Sequence, residues 1–279
     1  MARNPHISVC RLAARTGAPC TTVHRVLRQQ LGLHPYKLQL LQRLKRGDKA
    51  KRLRFCRWAL AKWRSPRFKR FLLMSDEAQF CLDGTVNKQN CRIWGAENPH
   101  AIYEQEGQSP SITVWCGVWA KGVIGPFFIE EGRRPATLTG ARYEALIRDH
   151  AVPTIEDQGV PLTRVWFQQD GATPHTTRSV LNLLKATFPG KVISNKGNVM
   201  WPPRSPDLTV PDFWLWGYLK GQVYSRTVHS IKQLKRRIRE AVRSVPESMV
   251  RAAINNVPYR LRACLHQRGG HHEQLVPRS

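Results

Sequence analysis

Residues 71–84, FLLMSDEAQFCLDG, begin as an apolar run, set Asp76 and Glu77 side by side, and close on a glycine turn. Flanked by turn residues, this pattern predicts a buried β-strand. After the short segments NKQNCRIWG (87–95) and AIYEQEG (101–107), the run SITVWCGVWAKGVIGPFFIEEG (111–132) supplies two further strands, broken at Lys121 and Gly122. The period then becomes helical in TGARYEALIRDHAVPTI (139–155) and returns to strand in VWFQQDG (165–171), which ends on Asp170. HTTRSVLNLLKATF (175–188) predicts a helix, KVIS (191–194) a short strand, and PDFWLWGYLKGQVY (211–224) the start of another helix. Strands that first follow one another and then alternate with helices predict a mixed α/β domain, a central sheet with helices on its faces.

That topology sets Asp76 on the first strand and Asp170 at the carboxyl end of a neighbour. Asp212 opens a helix after the proline-rich loop WPPRSPDLTVP (201–211). Carboxylates from separate fixed elements form an oxygen site for hard divalent cations, Mg²⁺ or Mn²⁺, with positions left for water and substrate phosphate. Alone, each aspartate reads as a turn residue or a helix cap. Together, in a chain with only 19 acidic residues, they predict a site for metal-assisted phosphodiester chemistry. Glu77, next to Asp76, points to the other face of the strand, and Asp207 in SPDL reads as a turn former. His175, five residues after Asp170, reads either as a contact to phosphate or water, or as a helix cap or surface residue.

The chain carries 45 Lys and Arg against those 19 acids, a formal charge of +26. Residues 1–70 hold 19 of the basic residues and a single acid, Asp48. Such a distribution predicts an amino-terminal module that grips a nucleic-acid backbone. Within it, ISVCRLAARTGAPCTTVHRVLRQQL (7–31) spaces Ala13, Gly17, Val23 and Val26 as a helix-turn-helix unit does. Its second helix would enter the major groove and offer Thr21, Thr22, Arg25 and Arg28 to base edges or phosphates. QLLQRLKRGDKAKRLRFCRWALAKW (39–63) continues as basic amphipathic helix, broken near Gly47 and Asp48 and read as a linker that tracks phosphates. Two basic amphipathic helices occupy the C-terminal part (230–265), where a His271-His272 metal site is not expected; the closing LVPRS fits either a tag remnant or a natural end.

The expected divisions are residues 1–35 for the helix-turn-helix, 36–70 for the linker, 71–225 for the catalytic domain and 226–279 for the C-terminal helices. Composition excludes a disordered or collagen-like chain, and charges and glycines interrupt the apolar run at 112–129 before it is long enough to span a membrane. No signal-peptide pattern is present, and seven cysteines without a C-x-x-C pair read as reduced intracellular thiols.

SDEAQF, WFQQDGATPH and WPPRSPDLTVPDFWLWGYLK, together with CTTVHRVLRQQLGLHPYKLQLLQRL and RFCRWAL, resemble transposases of the Tc/mariner superfamily over nearly the whole chain. The resemblance implies a ribonuclease H-like core whose catalytic triad is Asp76, Asp170 and Asp212, the last an Asp as in the mariner branch. The 41 residues between Asp170 and Asp212 exceed the interval of the best-known branches. It also implies that the helix-turn-helix is the second of a usual pair. Further implications are binding of double-stranded DNA at terminal inverted repeats and at the target, cut-and-paste cleavage and strand transfer with two metal ions, a homodimer in the synaptic complex, and work in the nucleus. The alternative is a catalytically silent or domesticated DNA-binding descendant.

Overall fold

A computed structural model describes residues 9–31, 43–83 and 109–271. The segments 87–95 and 101–107, Ser8 and His272 lie outside the described residues, as does the side chain of Arg28. The chain divides into two compact units, Met1–Gln42 and Arg43–Ser279.

In the small unit, helix α1 (Val9–Thr16) and helix α2 (Cys20–Arg25), the latter continuing as a wider turn through Val26–Gln30, enclose a core of Ala13, Val23 and Leu27. Gly17 makes the reversal with φ of +66°, a left-handed conformation that residues bearing a Cβ rarely adopt. Leu27 takes the inner position on the second helix, while Val26 is half-buried. The helices are short and the core is small, so tertiary contact rather than helix propensity holds this unit.

The large unit begins with α3 (Asp48–Trp63) and α4 (Pro66–Phe71), which leads directly into β1 (Leu72–Cys81). There follow β2 (Ser111–Trp119), β3 (Gly122–Phe128), the small hairpin β4 (Glu130–Glu131) and β5 (Arg134–Pro135), then α5 (Gly140–Leu146) and α6 (Val152–Glu156). The second half contains β6 (Trp166–Gln168), α7 (Arg178–Thr187), β7 (Val192–Ser194), β8 (Val199–Met200), α8 (Trp216–Val223), α9 (Ile231–Arg243) and α10 (Glu247–His266). The main sheet has the order β3-β2-β1-β6-β7-β8. Its first three strands are antiparallel neighbours, whereas β1, β6, β7 and β8 run parallel. This is the mixed sheet expected from the sequence.

Strand alternation divides the core into two layers. Leu72, Met74, Phe80, Ile112, Val114, Cys116 and Val118 face one side, with α3, α8, α9 and α10. Leu73, Trp115, Trp119 and Phe167 face the other, with α5, α6 and α7. Each fully buried large apolar side chain contributes about 1.5–3 kcal/mol.

The stretch read as a phosphate-tracking linker does not stand apart from this unit over α3. Phe55, Cys56 and Ala59 are buried in the first core layer, which leaves the basic face outward. Arg52, fully buried, ties α3 to two other segments through bonds to Asp207, Ser205 and the carbonyl of Gly269. Gly269 has φ of +84° and lies so close that a Cβ there would meet the Lys49 carbonyl oxygen at 2.6 Å. Among the described residues no helix is long and apolar enough to cross a membrane.

Candidate active site

Met74 on β1 pairs with Gln168 on β6. Asp76 and Asp170 lie two residues further along these parallel strands, and so reach the same level at the carboxyl end of β6. Asp76 shares its strand face with Met74 and Phe80 and points toward the α8 side. Asp212 stands in the first turn of the helical segment Pro211–Leu215 that continues into α8. One helical turn after it, Trp216 donates its indole N–H to Oδ2 of Asp76 at 2.8 Å. The structure thus brings all three sequence-predicted aspartates to one end of the sheet.

Their electrostatics follow from that crowding. Burial, then the charges of Asp212 and Glu77, push the Asp76 carboxyl well above the usual range, against the opposing hydrogen bond from Trp216. Asp212 still reaches solvent, yet desolvation and the charge of Asp170 push it up to about 7, while a hydrogen bond with Asp76 acts the other way. The strongest charged influences on this pair are other carboxylates, so the cluster carries negative charge that a cation would neutralise. Its all-oxygen donor set, drawn from three elements, fits Mg²⁺ or Mn²⁺. Among the described residues no three acidic, histidine or cysteine side chains already meet at a metal-sized point.

Asp170 is held differently. Its Oδ1 accepts the Ala172 backbone N–H at 2.9 Å and lies 2.6 Å from Nδ1 of His175. Burial acts to raise its pKa, but these contacts outweigh it and hold the carboxyl below its ordinary value.

His175 is neither cap nor surface residue: it is 1% exposed and lies in the turn Thr173–Thr176 ahead of α7. Its Nε2 is 3.1 Å from Oε2 of Glu77. Burial opposes protonation of the ring, but the two carboxylates prevail and raise its pKa to about 10. Glu77 does face the side opposite Asp76, as strand alternation requires, and from there it reaches the same site through His175. Five-residue spacing marked His175 in the sequence; its pairing with Glu77 had no sequence signal.

Asp207 lies in a short turn, as read from the sequence, but its side chain is fully buried as the bidentate partner of Arg52, at 2.5 and 2.8 Å. This ion pair fixes the loop that delivers Asp212. In the small unit Thr21 and Arg25 are exposed and Thr22 is half-buried, on the helix expected to meet DNA.

No protein-family model matches the sequence. The chain is 25% identical over 247 residues to the Tc3 transposase of Caenorhabditis elegans, covering 86% of this chain and 68% of that protein. It is 26% identical over 206 residues to the Tcb1 transposase of Caenorhabditis briggsae, covering 71% and 68% respectively. A Mos1 mariner paired-end complex with Mn aligns with a TM-score of 0.75 at 18% identity, over 98% of this chain and 77% of that one. The chain is similar in sequence to Tc3 and Tcb1 transposases and in fold to Mos1 mariner transposase. The isolated catalytic domain of Mos1 transposase, matched over its whole length with a TM-score of 0.60, shares the fold of the large unit of this chain. Its sheet is therefore the ribonuclease H-like core that the sequence resemblance implied.

Proposed function

We infer that this chain is a Tc1/mariner transposase, which binds the terminal inverted repeats of its own element in double-stranded DNA and moves that element by cut-and-paste strand cleavage and strand transfer. The observation that carries the reading is the position of Asp76, Asp170 and Asp212, on three separate elements, at one end of a ribonuclease H-like sheet, where their charges act on one another. The similar Mos1 structures include a paired-end complex with a transposon end, a pre-cleavage transpososome and a strand transfer complex. They support DNA as the partner and a homodimer as the synaptic assembly, and a DNA substrate supports work in the nucleus.

Asp76, Asp170 and Asp212 are the residues that would hold Mg²⁺ or Mn²⁺, two ions per site; Mos1 complexes were obtained with each metal. When bound, the metal supplies charge stabilisation to the attacking and leaving oxygens of an in-line phosphodiester displacement. Trp216 aims Asp76, and the Arg52–Asp207 pair braces the segment that presents Asp212. Oδ2 of Asp170 stays open toward the site, because both contacts to this carboxylate fall on Oδ1. Water or a 3′-hydroxyl is the nucleophile, so no serine, cysteine or tyrosine is assigned that role.

Recognition falls to the small unit. Thr21, Thr22 and Arg25 present hydrogen-bond donors and positive charge from one helix to the major groove, and Arg28, further along the same helix in sequence, is assigned to the same contact.

The test is a joining assay: a donor plasmid carrying the repeats that flank this coding sequence, a target plasmid, and Mg²⁺ or Mn²⁺. Excised ends joined to the target are expected. Cutting without joining would reduce the protein to a nuclease, and binding without cutting would make it a silent DNA binder.

A further inference from the structure

We propose that His175 is a positioning residue of this site, fixing Asp170 through Nδ1 while Glu77, from the far face of β1, fixes His175 through Nε2. The inference rests on the reading of Asp170 as a metal ligand and deepens it.

Asp170 needs such a brace. It lies beyond the end of β6 and directly before Gly171, and its side chain is 47% exposed, so regular structure does not choose its rotamer. Its two holds, from the Ala172 N–H and from His175, converge on Oδ1. Oδ2 is thereby turned outward, with no bond to a described residue. A ligand oxygen aimed in this way depends on whatever holds its partner oxygen.

His175 is itself fixed on every side. Its backbone N–H donates to Ala172 O at 3.0 Å, and its carbonyl accepts from Nε2 of Gln169 at 2.8 Å. Gln169 is locked in turn by the Tyr143 hydroxyl at 2.8 Å and by Oγ of Ser194 at 2.9 Å. The Tyr143 ring lies against the imidazole, with centroids 4.2 Å apart. At Nε2 the ring faces the Glu77 carboxylate across an ion-pair contact of 3.1 Å, the one side on which its rotation depends on a charge rather than on a hydrogen bond.

Glu77 is a costly residue to place there. Its Oε1 and the facing Nε2 of His175 are both buried without a hydrogen bond, so the two side chains meet as an ion pair, an arrangement folding alone does not favour. The return is orientation: a carboxylate on the far face of the strand sets the angle of a ring that sets the angle of Asp170.

Two amide isosteres separate this role from simple packing. The amide nitrogen of Asn overlays Nδ1 of histidine, and that of Gln overlays Nε2. His175→Asn therefore keeps the hold on Asp170, and His175→Gln keeps only the contact to Glu77. The full-length chain and both variants are titrated with Mn²⁺ and followed by electron paramagnetic resonance, beside thermal melts and single-turnover cleavage. His175→Gln should bind Mn²⁺ about tenfold or more weakly, the loss typical when a ligand's supporting partner is removed, and His175→Asn should stay within about threefold of wild type. Equal loss in both variants, or wild-type binding by His175→Gln, overturns the proposal while the metal site itself stands. Absence of specific Mn²⁺ binding in the wild-type chain overturns the reading of the three aspartates and the proposal with it. If either histidine variant fails to fold, Glu77→Gln carries the test: about threefold or greater weakening is expected from loss of an outer hold, and unchanged binding overturns the proposal.

Discussion

The indole N–H of Trp216 donates to Oδ2 of Asp76 at 2.8 Å, joining helix α8 to strand β1 between residues 140 positions apart. Because Trp216 follows Asp212 by one helical turn, the same segment that presents the third aspartate also aims the first. Trp216→Phe keeps most of the apolar contact and deletes the donor. Stability in urea should fall by about 1–3 kcal/mol, the range for a partly buried bond to an ionisable acceptor. Cleavage measured well below the unfolding midpoint should fall by at least about tenfold, a barrier increase near 1.4 kcal/mol. Full cleavage in a folded Trp216→Phe protein would remove Trp216 from the site.

Asp207 and Arg52 form a buried pair, both fully shielded from solvent. Removing one partner leaves the other charged and dry, so Asp207→Ala and Arg52→Met should each cost roughly 3–5 kcal/mol. The double variant Arg52→Met/Asp207→Leu should recover part of that loss, since neither charge is then stranded. Chemical denaturation of the four proteins checks this, and additive losses in the double variant would contradict it.

In chelator-containing buffer the folded chain should lose stability as pH rises from 5 to 9. Asp76 and Asp212 are raised in the fold, Asp212 to about 7, above an unfolded value of about 3.9. A raised carboxyl binds more protons folded than unfolded, so its contribution is full below the unfolded value and disappears as pH climbs through the folded one. His175, raised to about 10, contributes below its unfolded value near 6.5 and loses that contribution as pH rises toward 10. Asp170, lowered in the fold, has the opposite sign, but its contribution is lost only at acid pH, outside this interval. Mg²⁺ or Mn²⁺ should raise the Tm more at pH 8 than at pH 5, since protons compete for the same oxygens. A Tm that rises with pH in chelator, or a metal effect greatest at pH 5, would contradict these assignments.

Arg25 is exposed on the helix assigned to the major groove. Arg25→Ala should weaken binding to the terminal repeat by about 1–3 kcal/mol if it reads a base, with the loss confined to one position of the site. If it contacts phosphate, affinity should fall evenly across sequences and the slope of log K against log salt should decrease by about 1. Unchanged affinity and slope would take Arg25 out of the interface.

The succession of strands and helices and the element that carries each aspartate were legible because they rest on local pattern. Alternation marked β1, and a glycine turn after an apolar run marked the end of β6. A helix start after prolines marked Asp212. What escaped was contact at long range. Arg52 reads as one more charge in a basic helix, and only the fold brings it to Asp207, 155 residues away. The same is true of Glu77, whose face was read correctly but whose partner lies across the sheet. The basic pattern of α3 suggested a linker that tracks phosphates, yet Phe55, Cys56 and Ala59 at helical spacing were enough to bury one side of it.

Whether the three aspartates form a metal-dependent cleavage site is decided by cleavage of a DNA fragment carrying the element's own inverted repeat, by wild type and by Asp170→Ala, with Mg²⁺ or Mn²⁺ and with chelator. Metal-dependent nicking at the repeat end by wild type, abolished in Asp170→Ala while DNA binding persists, is the result this account requires. Nicking that survives in Asp170→Ala, or that proceeds in chelator, would contradict it.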